Sequence, residues 1–274
     1  MRTFLPTTVT LLLSILLLSG CQKGLEIERP DICSLSKTYA GNKLTSEYIF
    51  NNDNQLERIN YYNDQEQLAE HWLITRNSAG QVEKVDMIGK NNLVQQTFMY
   101  SYSGKGQLIQ VSNYSKPASP EVMDSYTLYF YNNFGALEKS VIYTKQDNNF
   151  RESGFTTYSY NAGGDMTEQK TYSIQPNQEA VLSSVIQYEY DTRQNPLRNV
   201  DDGIPALHKT FFFRNPMDCR HNITNERIYD ATGRLTSNKL AYYEYNTQGF
   251  PVKATFYNQQ QKFTAMNEFE YSCP

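Results

Sequence analysis

The sequence predicts an all-β fold: an antiparallel meander of hairpin repeats forming one large coiled or curled sheet. Three observations predict it. A short frame recurs along the chain, aromatic residues alternate with other residues just before many of its copies, and few stretches space their apolar residues as a helix would.

The frame opens on an aromatic residue, usually continues with Asn or Asp, often carries Gly near its end, and closes on an apolar residue six positions after the aromatic. Clear copies are Phe50 to Leu56, Tyr62 to Leu68, Tyr102 to Leu108, Tyr131 to Leu137, Tyr160 to Met166, Tyr229 to Leu235 and Tyr257 to Phe263. Weaker ones are Arg76 to Val82, Tyr190 to Leu197 and Tyr245 to Pro251. Physically each is a hairpin turn, because an Asn or Asp side chain closes a turn on its own backbone and Gly accepts the positive φ that short loops demand. Asp230-Ala231-Thr232-Gly233 and Asn246-Thr247-Gln248-Gly249 show the pattern most cleanly.

The strands precede the turns. Tyr100-Ser101-Tyr102, Tyr129-Phe130-Tyr131 and Tyr158-Ser159-Tyr160 place flanking aromatics on one face by their period of two, as do Tyr188-Glu189-Tyr190 and Tyr243-Glu244-Tyr245. Cross-strand aromatic pairs add roughly 0.2–1 kcal/mol each, so an aromatic ladder can hold a sheet short of aliphatics. The intervals give on the order of sixteen strands, too many for a flat open sheet. On such a sheet Tyr100, Tyr102, Tyr129, Tyr131, Tyr158 and Tyr160 are either the packed ladder or a solvent-facing aromatic surface for a sugar or a partner protein. Trp72 reads as core, with His71 pointing the other way.

The N-terminus carries an address. Arg2 precedes an apolar run from Val9 to Leu18, about half the length of a membrane span, and Leu18-Ser19-Gly20-Cys21 follows. That tetrapeptide resembles the lipobox of bacterial lipoproteins, which implies cleavage after residue 20 and lipidation of Cys21. Residues 1–20 are then the signal peptide, 21–44 a lipidated N-terminus and linker, and 45–274 the β-repeat domain. Acylation with two or three chains, as the resemblance implies, makes anchoring stable. Gln22 after the cysteine points to the outer membrane, with the periplasmic or surface face left open.

A second resemblance concerns architecture. Tyr-Asp-Ala-Thr-Gly-Arg-Leu at Tyr229 to Leu235 resembles the YD repeat of Rhs and teneurin-like proteins, and the whole layout is similar to repeat lipoproteins of Bacteroidota. The resemblance covers about Tyr48 to Cys273; it implies hairpins wound into a continuous sheet and carries no catalytic residues. A membrane-spanning barrel is the rival. Its strands need an uncharged lipid-facing row, yet Leu56-Glu57-Arg58-Ile59 and Val82-Glu83-Lys84-Val85-Asp86 place charges on both parities.

Chemistry is sparse. No Gly-x-Ser-x-Gly turn, phosphate-binding Gly loop, His-Glu-x-x-His or calcium loop is present, so neither a catalytic residue nor a cofactor is expected. Asp201-Asp202 is an acidic pair in a loop-like stretch, and Cys219 and His221 are close in sequence; both read first as ordinary loop residues. Cys33, Cys219 and Cys273 allow one internal disulfide, and both Cys33 to Cys273 and Cys219 to Cys273 stay open. Their spacing, with only His71, His208 and His221 in the chain, makes no metal site. Loss of Arg2 with the signal moves the formal net charge from −4 to −5, and no basic cluster suits nucleic acid. The expected function is a membrane-anchored, non-enzymatic binding or structural protein of the cell envelope, with a glycan or an envelope protein as partner. The alternatives are a β shell carrying a small ligand or lipid, and a hydrolase.

Overall fold

A computed structural model describes residues 33–115, 122–197 and 220–273. They form sixteen antiparallel strands: β1 (Ser34–Ala40), β2 (Lys43–Phe50), β3 (Leu56–Tyr62), β4 (Leu68–Arg76), β5 (Val82–Gly89), β6 (Val94–Tyr102), β7 (Leu108–Ser115), β8 (Ser125–Tyr131), β9 (Leu137–Gln146), β10 (Asn149–Tyr160), β11 (Met166–Ile174), β12 (Ala180–Gln194), β13 (His221–Asp230), β14 (Leu235–Tyr245), β15 (Pro251–Tyr257) and β16 (Phe263–Ser272). Each pairs with its sequence neighbours, and β1 pairs with β16, from Ser34 opposite Ser272 to Ala40 opposite Asn267. The sheet is therefore a closed barrel. This corrects the expectation of an open coiled or curled sheet, and it moves the start of the barrel to β1, inside the segment assigned to a linker.

The turns supply the physical reason for closure. Asn51 accepts from the amides of Asp53 (3.0 Å) and Gln55 (2.9 Å) through its side chain, while its own amide donates to the Gln55 carbonyl (2.9 Å). Asn63, Asn77, Asn132, Asp230, Asn246 and Asn258 close their turns the same way, and Ser103 substitutes its hydroxyl. Beyond each turn the register slips, and the slip falls beside the residue that opens the frame: Phe50, Tyr62, Arg76, Tyr102, Tyr131, Tyr160, Tyr229, Tyr245 and Tyr257. Such bulges bend the strand and raise its twist. Repeated at hairpin after hairpin, the bend returns the sixteenth strand to the first.

A hydroxyl tie fixes one end. The phenols of Tyr102, Tyr131, Tyr190 and Tyr271 donate to the carbonyls of Val82 (2.8 Å), Leu108 (2.8 Å), Met166 (2.6 Å) and Pro251 (2.6 Å). Each acceptor closes an earlier frame. Arg76, where a frame lacks its tyrosine, reaches the Leu56 carbonyl at 3.3 Å instead. At the same end Cys33 and Cys273 form a disulfide, with Cα atoms 4.2 Å apart, so the chain enters and leaves the barrel side by side.

Register also separates inside from outside. Tyr48, Ile59, Trp72 and Met87 lie in one cross-strand row, and Ile74, Val85, Phe98 and Asn113 in another on the same face. That face points inward. Ile59, Trp72, Val85, Ile186, Ala254 and Phe256 are all at most 2% exposed and belong to one apolar cluster around the barrel. Trp72 packs edge-on to Tyr61 at 5.4 Å and reaches Phe98 two strands away at 6.4 Å. The opposite face bears Glu47, Arg58, Lys84, Asp86, Glu168, Lys170, Glu189, Arg227, Glu244 and Lys253.

Candidate functional site

The six tyrosines singled out from the sequence all take the inward parity. Tyr100 is buried in the core; Tyr102, Tyr129, Tyr158 and Tyr160 pack against it, and Tyr131 is tied to Leu108. They are the ladder, which corrects the reading of them as a solvent-facing aromatic surface. The reason is closure: it gives the sheet an enclosed face, and the face with the larger apolar rings takes it. Burial pushes the phenols of Tyr61, Tyr129 and Tyr158 up from the ordinary tyrosine value.

A different set of rings faces out, on β8 to β11. Tyr126 stacks on Tyr143 across β8 and β9, with centroids 4.7 Å apart and planes at 10°. Phe150 leans on Tyr126 at 5.2 Å, and Phe155 stacks on Tyr172 at 4.6 Å and 16°. Between them a groove of about 620 Å³ is lined by Phe130, Glu138, Lys139, Val141, Tyr143, Glu152, Thr157 and Tyr158. Phe130 is 46% exposed at its wall, whereas Val141, at 4%, forms its floor.

Several charges of the outer face are paired. Lys84 pairs with Asp86 (2.7 Å), Lys170 with Glu168 (2.7 Å), Arg227 with Glu189 (2.6 Å) and Lys253 with Glu244 (3.0 Å). Glu138 and Glu152 have no cation partner among the described residues, and the Lys139 ammonium sits over the Phe155 ring, 4.1 Å from its centroid. Glu152 stands opposite Tyr143 on the neighbouring strand. Burial, then that carboxylate, pushes the Tyr143 phenol up. The groove thus offers ring faces with both hydrogen-bond acceptors and a donor. One signal for it stands in the sequence: in Tyr129-Phe130-Tyr131 the middle residue is aromatic too, so β8 carries rings on both faces.

Of the remaining candidates, His221 lies at the start of β13 with Nδ1 3.0 Å from both oxygens of Asp165, a buried carboxylate from the β10–β11 turn. The pair bridges over β12 and ties that turn to β13. Among the described residues no cluster of His, Cys, Asp and Glu could hold a metal ion. His71 faces outward beside Arg58, and burial with that guanidinium lowers its pKa from the ordinary histidine value. Cys21, Asp201, Asp202, His208 and Cys219 lie outside the described residues.

The geometry defines a class: a closed, up-and-down antiparallel β-barrel. No protein-family model and no curated protein matches the chain. Among solved structures, a porin-like protein from Bacteroides vulgatus has a similar fold, with a TM-score of 0.55 at 16% identity over 88% of this chain and 99% of that one. A porin-like protein from Bacteroides uniformis gives 0.50 at 10% identity, over 87% and 96%. At such identities the likeness shows the fold alone. It overturns the resemblance to wound YD-repeat sheets, because most of the chain aligns with these porin-like proteins and β1 seals against β16.

Polarity sets this barrel apart from a lipid-embedded one. A membrane barrel needs an apolar outer band and commonly encloses a polar or water-filled interior. Here four ion pairs lie on the outer face, while the inner face carries the apolar cluster together with an inward pair, Lys239 to the buried Glu226 at 3.4 Å.

Proposed function

We propose that this chain is a lipid-tethered, non-catalytic protein of the bacterial envelope whose barrel stands in water and serves as a rigid binding scaffold. The observation that carries the reading is the charged outer face, with its ion pairs in place of an apolar band, around an inner face where Trp72, Ile59 and Val85 are sealed and the carboxylate of Glu226 is buried against Lys239. Burying the outer charges in hydrocarbon would cost about 2–4 kcal/mol for each Lys or Arg at mid-bilayer. Strand number and closure are thus shared with a pore, while the function is carried by surfaces. The lipobox cysteine, Cys21, precedes Cys33 by 12 residues, so the anchor joins the chain at the end of the barrel where the disulfide ties β1 to β16.

A Cys21→Ala variant tests the reading. Wild-type protein should incorporate labelled palmitate and sediment with membranes; the variant should incorporate none and appear in the soluble fraction. A variant that stays in the membrane would overturn it. A second reading, carriage of a small ligand inside, is favoured by one polar sector: Thr127, Ser140, Thr156, Tyr158, Gln169 and Thr171 all face inward on β8 to β11. A co-purifying mass in a native spectrum of the full chain would support it.

A further inference from the structure

We propose that the outer groove on β8 to β10 binds a neutral oligosaccharide, with Phe130 and Tyr143 as stacking platforms and Glu138, Glu152, Lys139 and Thr157 as hydrogen-bonding groups. The inference deepens the scaffold reading and rests on it. Two carboxylates without a cation partner stand in the lining, which disfavours an anion. The ammonium of Lys139 belongs to the same lining and lies over the face of Phe155, which disfavours a cation. Lipid chains are disfavoured by all three charges.

A protein strand would dock by adding to a sheet edge, and a closed barrel has none. What fits is a molecule without net charge that presents apolar C–H faces and many hydroxyls. Hydroxyls both donate and accept, so they satisfy carboxylate and ammonium alike. The aromatic faces take the C–H side, as amphipathic rings do at binding surfaces.

Geometry favours a chain over a single sugar. Glu138 lies at the Tyr131 end of β9 and Glu152 opposite Tyr143, five residues further along, so the polar groups span roughly 17 Å at strand rise. Its volume of about 620 Å³ falls within the range of ligand sites, about 300–1,000 Å³. The stack of Tyr126 on Tyr143 holds that platform before any ligand arrives, and the stack of Phe155 on Tyr172 holds the ring beneath Lys139. A preorganised site loses less on binding.

The experiment is titration calorimetry on the full-length chain in detergent micelles, with maltohexaose, cellohexaose, xylohexaose and chitohexaose as probes and spermidine as the cationic control. At least one hexasaccharide should bind saturably. Phe130→Ala and Tyr143→Ala should each weaken it about tenfold or more, while Tyr242→Ala, a remote outer ring, leaves it unchanged. Glu152→Gln removes the charge without disturbing a ring and should also weaken binding, which keeps the test sound if a ring variant misfolds. No binding by any of the four, or binding indifferent to all three groove substitutions, overturns the assignment; so does spermidine binding that Glu152→Gln abolishes. These failures are separate from failure of the scaffold reading, which the Cys21→Ala fractionation reports.

Discussion

Removing the Cys33–Cys273 bond should be felt by the whole barrel. The bond joins residues 240 positions apart and sits at the end of the β1–β16 seam, the pairing that joins the first described strand to the last. Without it, closing the seam requires the two ends of the chain to find each other unaided. Chain entropy for a loop of this length gives an upper figure of about 5 kcal/mol, and losses of about 2–5 kcal/mol accompany removal of native disulfides. With a urea slope of about 3 kcal/mol/M for a chain of this size, Cys33→Ser with Cys273→Ser should lower the urea midpoint by roughly 1–2 M. Circular dichroism would follow the transition for the wild type, the double variant and Cys219→Ser, the last expected to match wild type. A double variant within about 0.3 M of wild type would refute the reasoning that seam closure is limited by chain entropy.

Trp72→Ala should cost about 3–5 kcal/mol by leaving a cavity in the core, whereas Tyr242→Ala, 62% exposed, should cost under about 1; paired urea titrations would show whether the burial order holds. Gly154→Ala should destabilise, because the new Cβ would come within 2.5 Å of the Tyr172 carbonyl oxygen, while Gly104→Ala meets nothing within 4 Å; thermal melts of the two should differ in midpoint. Alkaline sensitivity follows from the tyrosines. Burial and the Glu270 carboxylate push Tyr39 up to about 12, and burial raises Tyr61, Tyr129 and Tyr158, so the folded chain keeps protons that an unfolded chain gives up near pH 10. Their contribution is fully present below about pH 10 and is lost as pH rises toward 12. Tyrosinate absorbance should then rise in a cooperative step together with loss of circular dichroism; smooth ionisation without unfolding would contradict the burial.

Much of the local structure was legible in the residues. Asn51, Asn132 and Asp230 mark their turns because a short polar side chain can accept two backbone amides at once, and that chemistry is local. The shared face of Tyr100 and Tyr102 follows from strand geometry alone. Which face is inside does not. Parity says only that the two rings agree, and the enclosed side exists only once β1 meets β16. Closure itself is the sum of many small register slips beside residues such as Phe50, Tyr102 and Tyr245, and no single stretch of sequence encodes it. The pairing of Cys33 with Cys273 rather than Cys219 depends on the same event. The outer groove is not marked by the Tyr-x-Tyr rows, because Phe130, Tyr126 and Phe155 stand on the other parity.

A barrel that faces water on its outer side folds without lipid or detergent. The most direct test is to produce the chain from Gln22 onward and to measure its mass and folded state by light scattering and circular dichroism without any detergent. The expected result is a monodisperse β-rich species with a cooperative melt. A chain that aggregates in buffer and folds only when micelles are supplied would contradict it.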